Sequence, residues 1–330
     1  AGAGRRAPVR PVRGPMSTPL HVERRDRVLS TMAGAELDVL VLGEQANVIY
    51  SSGHQRLWTA GTRPHAPTCI VVRRTGATHL LSTWDEGVPD DVPFEHLFGI
   101  TWSPEVMGAA LTAIPGLSDA RRLGVDGMTA GFLRAVERLA PGAELVVVDE
   151  LLADARRTKF AAEVDLMQAA CRVAAAGLDA VEAALPATDD TAAAVAVDAM
   201  ARAGSSKPVD EPLVRTTDGS TVIDLGVLVE GYEGGIGRTL GGDPEGTADV
   251  HRRALAACRP GTVAPGSDNG ATFEVRGAGL GAERPVVGTL EAGMVLSVTT
   301  TAGSHRWRDL VLVADEPRPL LGGAAVAGDG

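Results

Sequence analysis

The sequence predicts an α+β protein built from two parts, an α/β unit over residues 21–150 and a second unit over residues 151–322. The first observation behind this prediction is an alternation of strand and helix patterns through the first part. The second is a change near residue 150, after which long helical patterns come first and strand patterns follow. The length of 330 residues also suits two domains.

Three helices and five strands are predicted in the first part. The run Leu-Asp-Val-Leu-Val-Leu at 37–42 has the length and composition of a buried strand. Gly34 stands shortly before it and suits a left-handed helix C-cap, and Thr75-Gly76 suits the turn of a hairpin. The predicted helices cover residues 21–34, 104–114 and 130–139, and the predicted strands cover residues 37–42, 68–73, 78–82, 123–125 and 145–148.

The second part begins with helices. An amphipathic helix is predicted over residues 151–185, because its apolar residues recur in steps of three, four and seven. Asp190 is expected to cap a second helix over residues 191–203 that ends at Gly204, and a polar link follows at 205–219. The remaining patterns predict a hairpin at 221–232, a helix at 245–258 and strands at 294–300 and 310–314.

Composition excludes several function classes. The formal net charge of −11 disfavours nucleic acid and anionic membranes as partners. The three cysteines are far apart, which excludes a disulfide framework and a cysteine-type zinc site and favours the cytoplasm. No apolar run approaches the roughly 18 residues of a membrane span. Residues 1–20 are expected to form a disordered leader and residues 323–330 a flexible tail.

An ordered set of short motifs runs through the second part. Its members are Arg157-Thr158-Lys159, Asp224-Leu225-Gly226, Gly231-Tyr232, Arg238-Thr239, the segment Leu-Glu-Ala-Gly-Met-Val at 290–295 and the segment Arg-Asp-Leu-Val-Leu-Val at 308–313. In order and approximate spacing this set resembles the creatinase, aminopeptidase P and prolidase family, the pita-bread metallopeptidases of clan M24. Residues 22–150 also resemble the N-terminal domain of that family, through 24–32, 37–42 and Asn-Val-Ile-Tyr at 47–50. The resemblance implies a creatinase-type N-terminal α/β domain followed by a reduced pita-bread domain.

The resemblance also shows which metal ligands have changed. Family members hold two metal ions with two aspartates, one histidine and two glutamates. The corresponding positions in this sequence are Asp224, Gly235, Arg276, Thr299 and Arg308, so one ligand of five is retained. A guanidinium has no lone pair for a metal and stays charged in proteins. We therefore expect no metal and no cofactor at this site.

The loss of ligands predicts a pseudopeptidase, that is, a non-catalytic binding or regulatory protein. The resemblance to the family implies that it is a homodimer. The alternative is a metal-free hydrolase acting on a small amide or an Xaa-Pro or creatine-like substrate. In that case Asp224 and Glu283 are the catalytic candidates, because Glu283 stands where the family has a second histidine and can serve as a general base. A further possibility is that His305 serves as a displaced metal ligand.

The sequence is compatible with two arrangements of the positions that align with the metal ligands of the family. Asp224, Arg276, Glu283, Arg308 and Asp309 can meet in an open pocket that holds a small anionic or amide ligand. Alternatively, the two arginines form salt bridges with the two aspartates and fill the space that the ions have left. An open pocket favours the enzyme, and a filled centre favours the pseudopeptidase.

Overall fold

The computed structural model describes residues 19–54, 67–81, 87–99, 103–205, 207–217, 219–242, 246–268, 270–281, 283, 286 and 288–322. The predicted leader over 1–20 lies outside these residues except at its end, where the first helix starts at Leu20. The predicted tail over 323–330 also lies outside them. None of the described helices is long and apolar enough to cross a bilayer.

The N-terminal part forms a mixed six-stranded sheet with helices around it, as the alternating pattern predicts. Its strands in chain order are β1 (Val39–Leu42), β2 (Cys69–Val72), β3 (Ala77–Leu81), β4 (Leu97–Phe98), β5 (Arg122–Val125) and β6 (Glu144–Val147). Their order across the sheet is β4-β3-β2-β1-β5-β6. Its helices are α1 (Leu20–Gly34), α2 (Gln45–Ser52), α3 (Pro104–Thr112), α4 (Ala130–Leu139) and α5 (Asp149–Arg157).

Three local features differ from the prediction in this part, and the first is the short strand β4, which no pattern predicted. Gly34 is the last residue of α1, but the left-handed conformation after this helix belongs to Glu36, with φ 55°. The predicted hairpin is present, and Gly76 takes the positive φ of 68° that its turn requires. Helix α2 was not predicted, because nearly all of its residues are buried and leave no amphipathic period to detect.

The helix predicted over 151–185 is two helices, α5 and α6 (Ala161–Ala184). The break lies at Thr158, whose backbone is extended and forms an isolated antiparallel bridge with Met294. Beside it, the backbone amide of Lys159 donates to the carbonyl of Gly293 at 2.8 Å. The apolar period continues across the break because both helices bury one side, so the pattern alone did not reveal it.

Helix α7 (Asp189–Ala203) follows. Its N-cap is Thr188 rather than the predicted Asp190, because the Thr188 side chain accepts from the amide of Thr191 at 3.3 Å and Asp190 already lies in the first turn. The predicted polar link at 205–219 contains strand β7 (Leu213–Thr217), which pairs antiparallel with its neighbour at the sheet edge. Because this edge strand is mostly exposed, it carries no apolar alternation.

A large antiparallel sheet dominates the C-terminal part. Its strands after β7 are β8 (Ser220–Val229), β9 (Tyr232–Leu240), β10 (Ser267–Asp268), β11 (Ala271–Gly277), β12 (Val295–Ala302), β13 (His305–Leu312) and β14 (Arg318–Pro319), with α8 (Thr247–Ala256) between β9 and β10. The order across the sheet is β10-β11-β12-β13-β9-β8-β7, and β14 pairs with β13. The hairpin predicted at 221–232 is longer, since Glu230 and Gly231 form its turn and β9 continues to Leu240. No pattern predicted β11.

Helices α6 and α7 pack on one face of the large sheet, and α8 packs on the same side beside β12 and β13. The close approach of α6 depends on Gly234, where an added Cβ would lie 2.2 Å from the backbone nitrogen of Cys171. A buried core also joins the two parts of the chain, since Met32 and Leu40 share one cluster with Met167 and Val295. The opposite face of the sheet carries polar side chains at its centre, among them Asp224, Thr299 and Arg308.

Candidate ligand pocket

The face of the large sheet opposite α6 and α7 holds a cavity of about 260 Å³. Side chains of a strand alternate between the two faces of its sheet, so every second residue of a strand points to this side. The lining consists of charged residues with few apolar ones, namely Asp210, Glu211, Leu213, Asp224, Gly226, Glu274, Arg276, Thr299, Arg306 and Arg308. Four of the five positions aligned with family metal ligands thus line one cavity, and the fifth, Gly235, contacts Arg308.

Asp224 holds two arginines at the base of the cavity. Its Oδ1 forms a salt bridge with Nη2 of Arg308 at 2.7 Å, and its Oδ2 accepts from Nε of Arg306 at 2.7 Å. The same Nη2 of Arg308 also donates to the carbonyl of Leu225 at 2.7 Å. Both Arg308 and Asp224 are at least nine-tenths buried, so their pairing offsets the cost of removing each charge from water.

The Arg308 guanidinium lies directly beside Gly235. A Cβ atom at Gly235 would stand 2.6 Å from Nη2 and 2.9 Å from Cζ of Arg308. Such distances are well inside van der Waals contact, so a carboxylate at residue 235 and an arginine at 308 in this position exclude each other. The arginine therefore occupies the space that the missing side chain leaves open.

Arg276 pairs with Glu233, a residue that the sequence analysis did not single out. Nη1 of Arg276 donates to Oε2 of Glu233 at 2.7 Å, and Nη2 contacts Oε1. Glu233 is 2% exposed, and Arg308 Nη1 approaches it to 3.9 Å. The alternation of side chains along β9 could have identified Glu233, because it stands two residues before Gly235 and so lies on the same face of the sheet.

Asp309 does not take part in this pocket. It lies on the helix-covered face, where Arg238 Nη2 donates to its Oδ1 at 2.9 Å and His251 Nε2 lies 3.0 Å from its Oδ2. His251 Nδ1 lies 2.8 Å from the hydroxyl of Thr300. Burial raises the pKa of Asp309, but the hydrogen bond from His251 and the charge of Arg238 outweigh it and hold that pKa below its usual range. The predicted pairing of Asp309 with Arg276 or Arg308 is not formed.

Glu283 also lies elsewhere. Its Oε1 accepts from Nζ of Lys159 at 2.9 Å, and it lines a different cavity from Asp224. Burial raises the pKa of Glu283 despite the charge of Lys159. The two catalytic candidates of the sequence analysis are therefore not brought together.

The residues present do not fit a pair of metal ions. Arg276, Thr299 and Arg308 stand at three of the aligned ligand positions, and the two arginines carry no lone pair for a metal. Within the described ranges, no three His, Cys, Asp or Glu side chains are grouped so that they could hold an ion. His305 sits at the start of β13, where its Nε2 lies 2.5 Å from the carbonyl of Gly242.

Comparisons with known proteins agree with this architecture. Residues 24–158 match the model of the creatinase/prolidase N-terminal domain family. Prolidase from Pyrococcus furiosus is 18% identical, with a TM-score of 0.67 over 89% of this chain and 98% of that one. An X-Pro aminopeptidase from Thermotoga maritima is 14% identical, with a TM-score of 0.68 over 88% of this chain and 97% of that one.

A dipeptidase from Mycobacterium ulcerans is 21% identical, with a TM-score of 0.62 over 93% of this chain and 97% of that one. No curated protein matches the sequence. Identities this low carry the fold alone, which extends over nearly the whole length of each of these structures. The chemistry of the site depends on the residues that this chain places in it.

Proposed function

We propose that this chain has a non-catalytic binding or regulatory role, that of a pseudopeptidase. Its residues 24–158 match the creatinase/prolidase N-terminal domain, and over its length it has the fold of the M24 peptidases. Fold alone does not imply activity, because chemistry depends on a few side chains of the site. In this chain those side chains form a network of ion pairs in place of the acidic ligand set.

The single observation that carries the proposal is the position of Arg308. Its guanidinium fills the space beside Gly235 and neutralises Asp224, the one aligned ligand that is retained. A divalent cation at this place would meet a buried positive charge instead of a second carboxylate. Since an arginine keeps its proton, no accessible pH relieves this repulsion.

The pocket still has room for a small ligand. Arg276 and Arg306 are each about three-tenths exposed, so their guanidinium groups can donate to a carbonyl or a carboxylate oxygen in the cavity. The carboxylates of Asp210, Glu211 and Glu274 line the same cavity and repel a multiply charged anion. We propose that the ligand is an amide or a compound with a single carboxylate.

The open cavity by itself favours the alternative, a metal-free hydrolase, but the two candidate bases give it less support than the pseudopeptidase. Asp224 is paired with two arginines, which occupy both of its carboxylate oxygens. Glu283, the other candidate base, lines a different cavity and is bound to Lys159. A base needs to reach the group from which it takes a proton, and neither candidate is free to do so here.

The proposal is tested by metal content and turnover together. The purified full-length protein is analysed for bound metal, then titrated with Mn²⁺ and Co²⁺ by calorimetry and assayed on Ala-Pro with each ion, beside a metal-loaded prolidase as positive control. We expect no stoichiometric metal, no saturable metal binding and no hydrolysis above the blank. Hydrolysis that requires Mn²⁺ and is lost in Asp224→Asn would overturn the proposal.

We also propose that the protein forms a homodimer, as the resemblance to the family implies. Sedimentation velocity at several protein concentrations tests this directly. A single species with the mass of one chain throughout the series would contradict it.

A further inference from the structure

A cavity of about 540 Å³ lies at one end of the N-terminal sheet and has no lining residue in common with the ligand pocket. The strand order β2-β1-β5 brings three segments together there, namely the residue before β1, the turn after β2 and the loop that leads into β5. The charged residues of the lining are Asp38, Arg73, Arg74, Asp119 and Arg121. The lining therefore carries an excess of positive charge, in a chain whose formal net charge is −11.

Asp38 lies in the middle of this end of the sheet, and both of its oxygens are engaged. Oδ1 accepts from Nη2 of Arg73 at 3.0 Å, and Oδ2 accepts from the backbone amides of Arg121 and Arg122 at 2.9 and 3.2 Å. The hydrogen bond from the Arg121 amide is the main influence that holds the pKa of Asp38 below its usual range. Arg73 is engaged as well, since its Nε donates to the carbonyl of Leu37. The charges of Asp38 and Arg73 therefore neutralise each other.

Arg74 and Arg121 flank this ion pair and have free guanidinium groups. Both are exposed, and neither side chain forms an ion pair or a hydrogen bond with another residue that the structure describes. Their backbones are nonetheless fixed. The amide of Gly76 closes the hairpin turn of Arg74 on the carbonyl of Val72 at 2.9 Å, and the carbonyl of Arg121 accepts from the amide of Glu144 at 2.7 Å. Two positive charges are thus presented from rigid parts of the sheet.

The sheet also sets the spacing of the two arginines. Arg74 follows β2 and Arg121 precedes β5, with β1 between these strands. Because neighbouring strands are about 4.8 Å apart, the two backbones start about 10 Å from each other. Arg74 reaches from its hairpin to the loop before β5, where its Nη2 lies 3.7 Å from the point at which Gly116 would carry a Cβ atom. Both side chains therefore line one cavity from two sides, an arrangement that suits an anion with two charged centres.

Asp119 is the remaining carboxylate of the lining. Its Oδ1 accepts from the hydroxyl of Ser118 at 3.3 Å, and it forms no ion pair within the described parts of the chain. Since Asp119 is exposed, water and salt screen its repulsion of an anion. It reduces the positive potential of the cavity without cancelling it.

We infer that this cavity binds a diphosphate group, either as free pyrophosphate or as part of a larger small molecule, with one phosphate on each of the Arg74 and Arg121 guanidinium groups. Arginine and phosphate form charge-assisted, two-pronged hydrogen bonds. An amide or a single carboxylate would leave one of the two arginines without a partner. The carboxylates that line the ligand pocket repel a diphosphate, so the two cavities select different ligands.

Calorimetric titration of the full-length protein with sodium pyrophosphate at pH 7 and low ionic strength tests the inference. Sodium acetate serves as the single carboxylate, and ADP serves as a diphosphate on a larger body. We expect one saturable site for pyrophosphate, with acetate at least about tenfold weaker. ADP that binds at least as tightly as pyrophosphate assigns the site to the diphosphate of a larger ligand, whereas weaker binding of ADP assigns it to the free anion.

Substitutions in the lining locate the bound anion. Arg74→Gln and Arg121→Gln should each weaken pyrophosphate binding by about tenfold or more. Asp119→Asn should tighten it by about threefold, because a repelling charge is removed. Arg134→Gln is the matched control and should bind as the parent does, since Arg134 is also an exposed arginine of the N-terminal part but does not line this cavity. All four side chains are exposed, so each variant should keep the melting temperature of the parent.

Several results would overturn the inference. Pyrophosphate that does not saturate by 20 mM, or acetate that binds as tightly, would remove the two-centre anion site. Equal weakening in Arg134→Gln and Arg74→Gln would assign the binding to the general charge of the surface. Weaker binding in Asp119→Asn would place the anion elsewhere. Binding that is lost in Arg306→Gln but kept in Arg74→Gln would place the anion in the ligand pocket.

Discussion

Nη2 of Arg308 lies 2.6 Å from the point where residue 235 would carry its Cβ atom, so the glycine and the arginine form a complementary pair. Gly237 extends this relationship, because an added Cβ there would lie 2.9 Å from the Cβ of Arg308. The absence of a side chain at Gly235 is thus a packing requirement as well as the loss of an aligned ligand.

Gly235→Ala should destabilise the fold by about 1–3 kcal/mol, because the new methyl group must displace a buried guanidinium that is held by Asp224. Urea unfolding followed by circular dichroism measures this change. Gly108→Ala is the matched control, since nothing lies within 4 Å of a Cβ there and the residue sits inside α3. That control should gain about 0.5–1 kcal/mol from helix propensity. A neutral Gly235→Ala would show that Arg308 has free space around it.

Asp224→Asn should cost about 3 kcal/mol or more, because it leaves Arg308 with a buried charge whose nearest remaining carboxylate, Glu233, is 3.9 Å away. Arg306→Gln is the comparison, since Arg306 shares the same carboxylate but is 31% exposed. It should cost at most about 1 kcal/mol. Both values come from urea unfolding at pH 7. Equal losses in the two variants would mean that burial does not set the strength of these pairs.

Restoring the ligand set should restore metal binding only when all the changes are made together. Gly235→Asp alone leaves Arg276 and Arg308 in the cavity, so it should not respond to Mn²⁺. The combination of Gly235→Asp, Arg276→His, Thr299→Glu and Arg308→Glu replaces each lost ligand type. Mn²⁺ at a hundredfold excess over its dissociation constant should stabilise this variant by about 2.7 kcal/mol and so raise its melting temperature.

The buried Glu233 adds a condition to this experiment. In the combined variant it loses both Arg276 and Arg308, so the metal-free form should be less stable than the parent. Addition of Glu233→Gln should recover part of that loss without removing the response to Mn²⁺. A Mn²⁺ response in the unmodified parent would refute the alignment of ligand positions, whereas silence in the combined variant would refute the pocket geometry inferred for them.

The sequence predicted the fold better than it predicted the partners within the site. The motif order located Asp224, Arg276, Thr299 and Arg308, because strands and glycine turns leave local signals that survive the loss of ligands. It could not pair them, since the choice of Glu233 over Asp309 for Arg276 depends on strand register across β9, β11 and β12. The sequence did not reveal the partner of Glu283 either, because its salt bridge to Lys159 joins residues that are 124 positions apart in the sequence.

A buried histidine in the N-terminal sheet should make stability depend on pH. His79 in β3 is 4% exposed, its ring centroid lies 4.1 Å from that of His96, and its Nδ1 has no hydrogen-bond partner among the described residues. Burial and the charge of His96 lower the pKa of His79 to about 4. In the unfolded chain a histidine has a pKa near 6.5, so below about pH 6.5 the unfolded state gains a proton that the folded state does not.

Stability should therefore fall as the pH falls from about 6.5 to about 4, and this residue should account for roughly 2 kcal/mol of the loss between pH 7 and pH 5. Urea midpoints at pH 7 and pH 5 measure the effect, and His79→Phe should reduce the difference between them, because phenylalanine does not titrate. Phe98→Leu is the control, since Phe98 packs 6.0 Å from the His79 ring and its truncation lowers stability equally at both pH values. A difference between the two midpoints that is as large in His79→Phe as in the parent would assign the acid sensitivity to other groups.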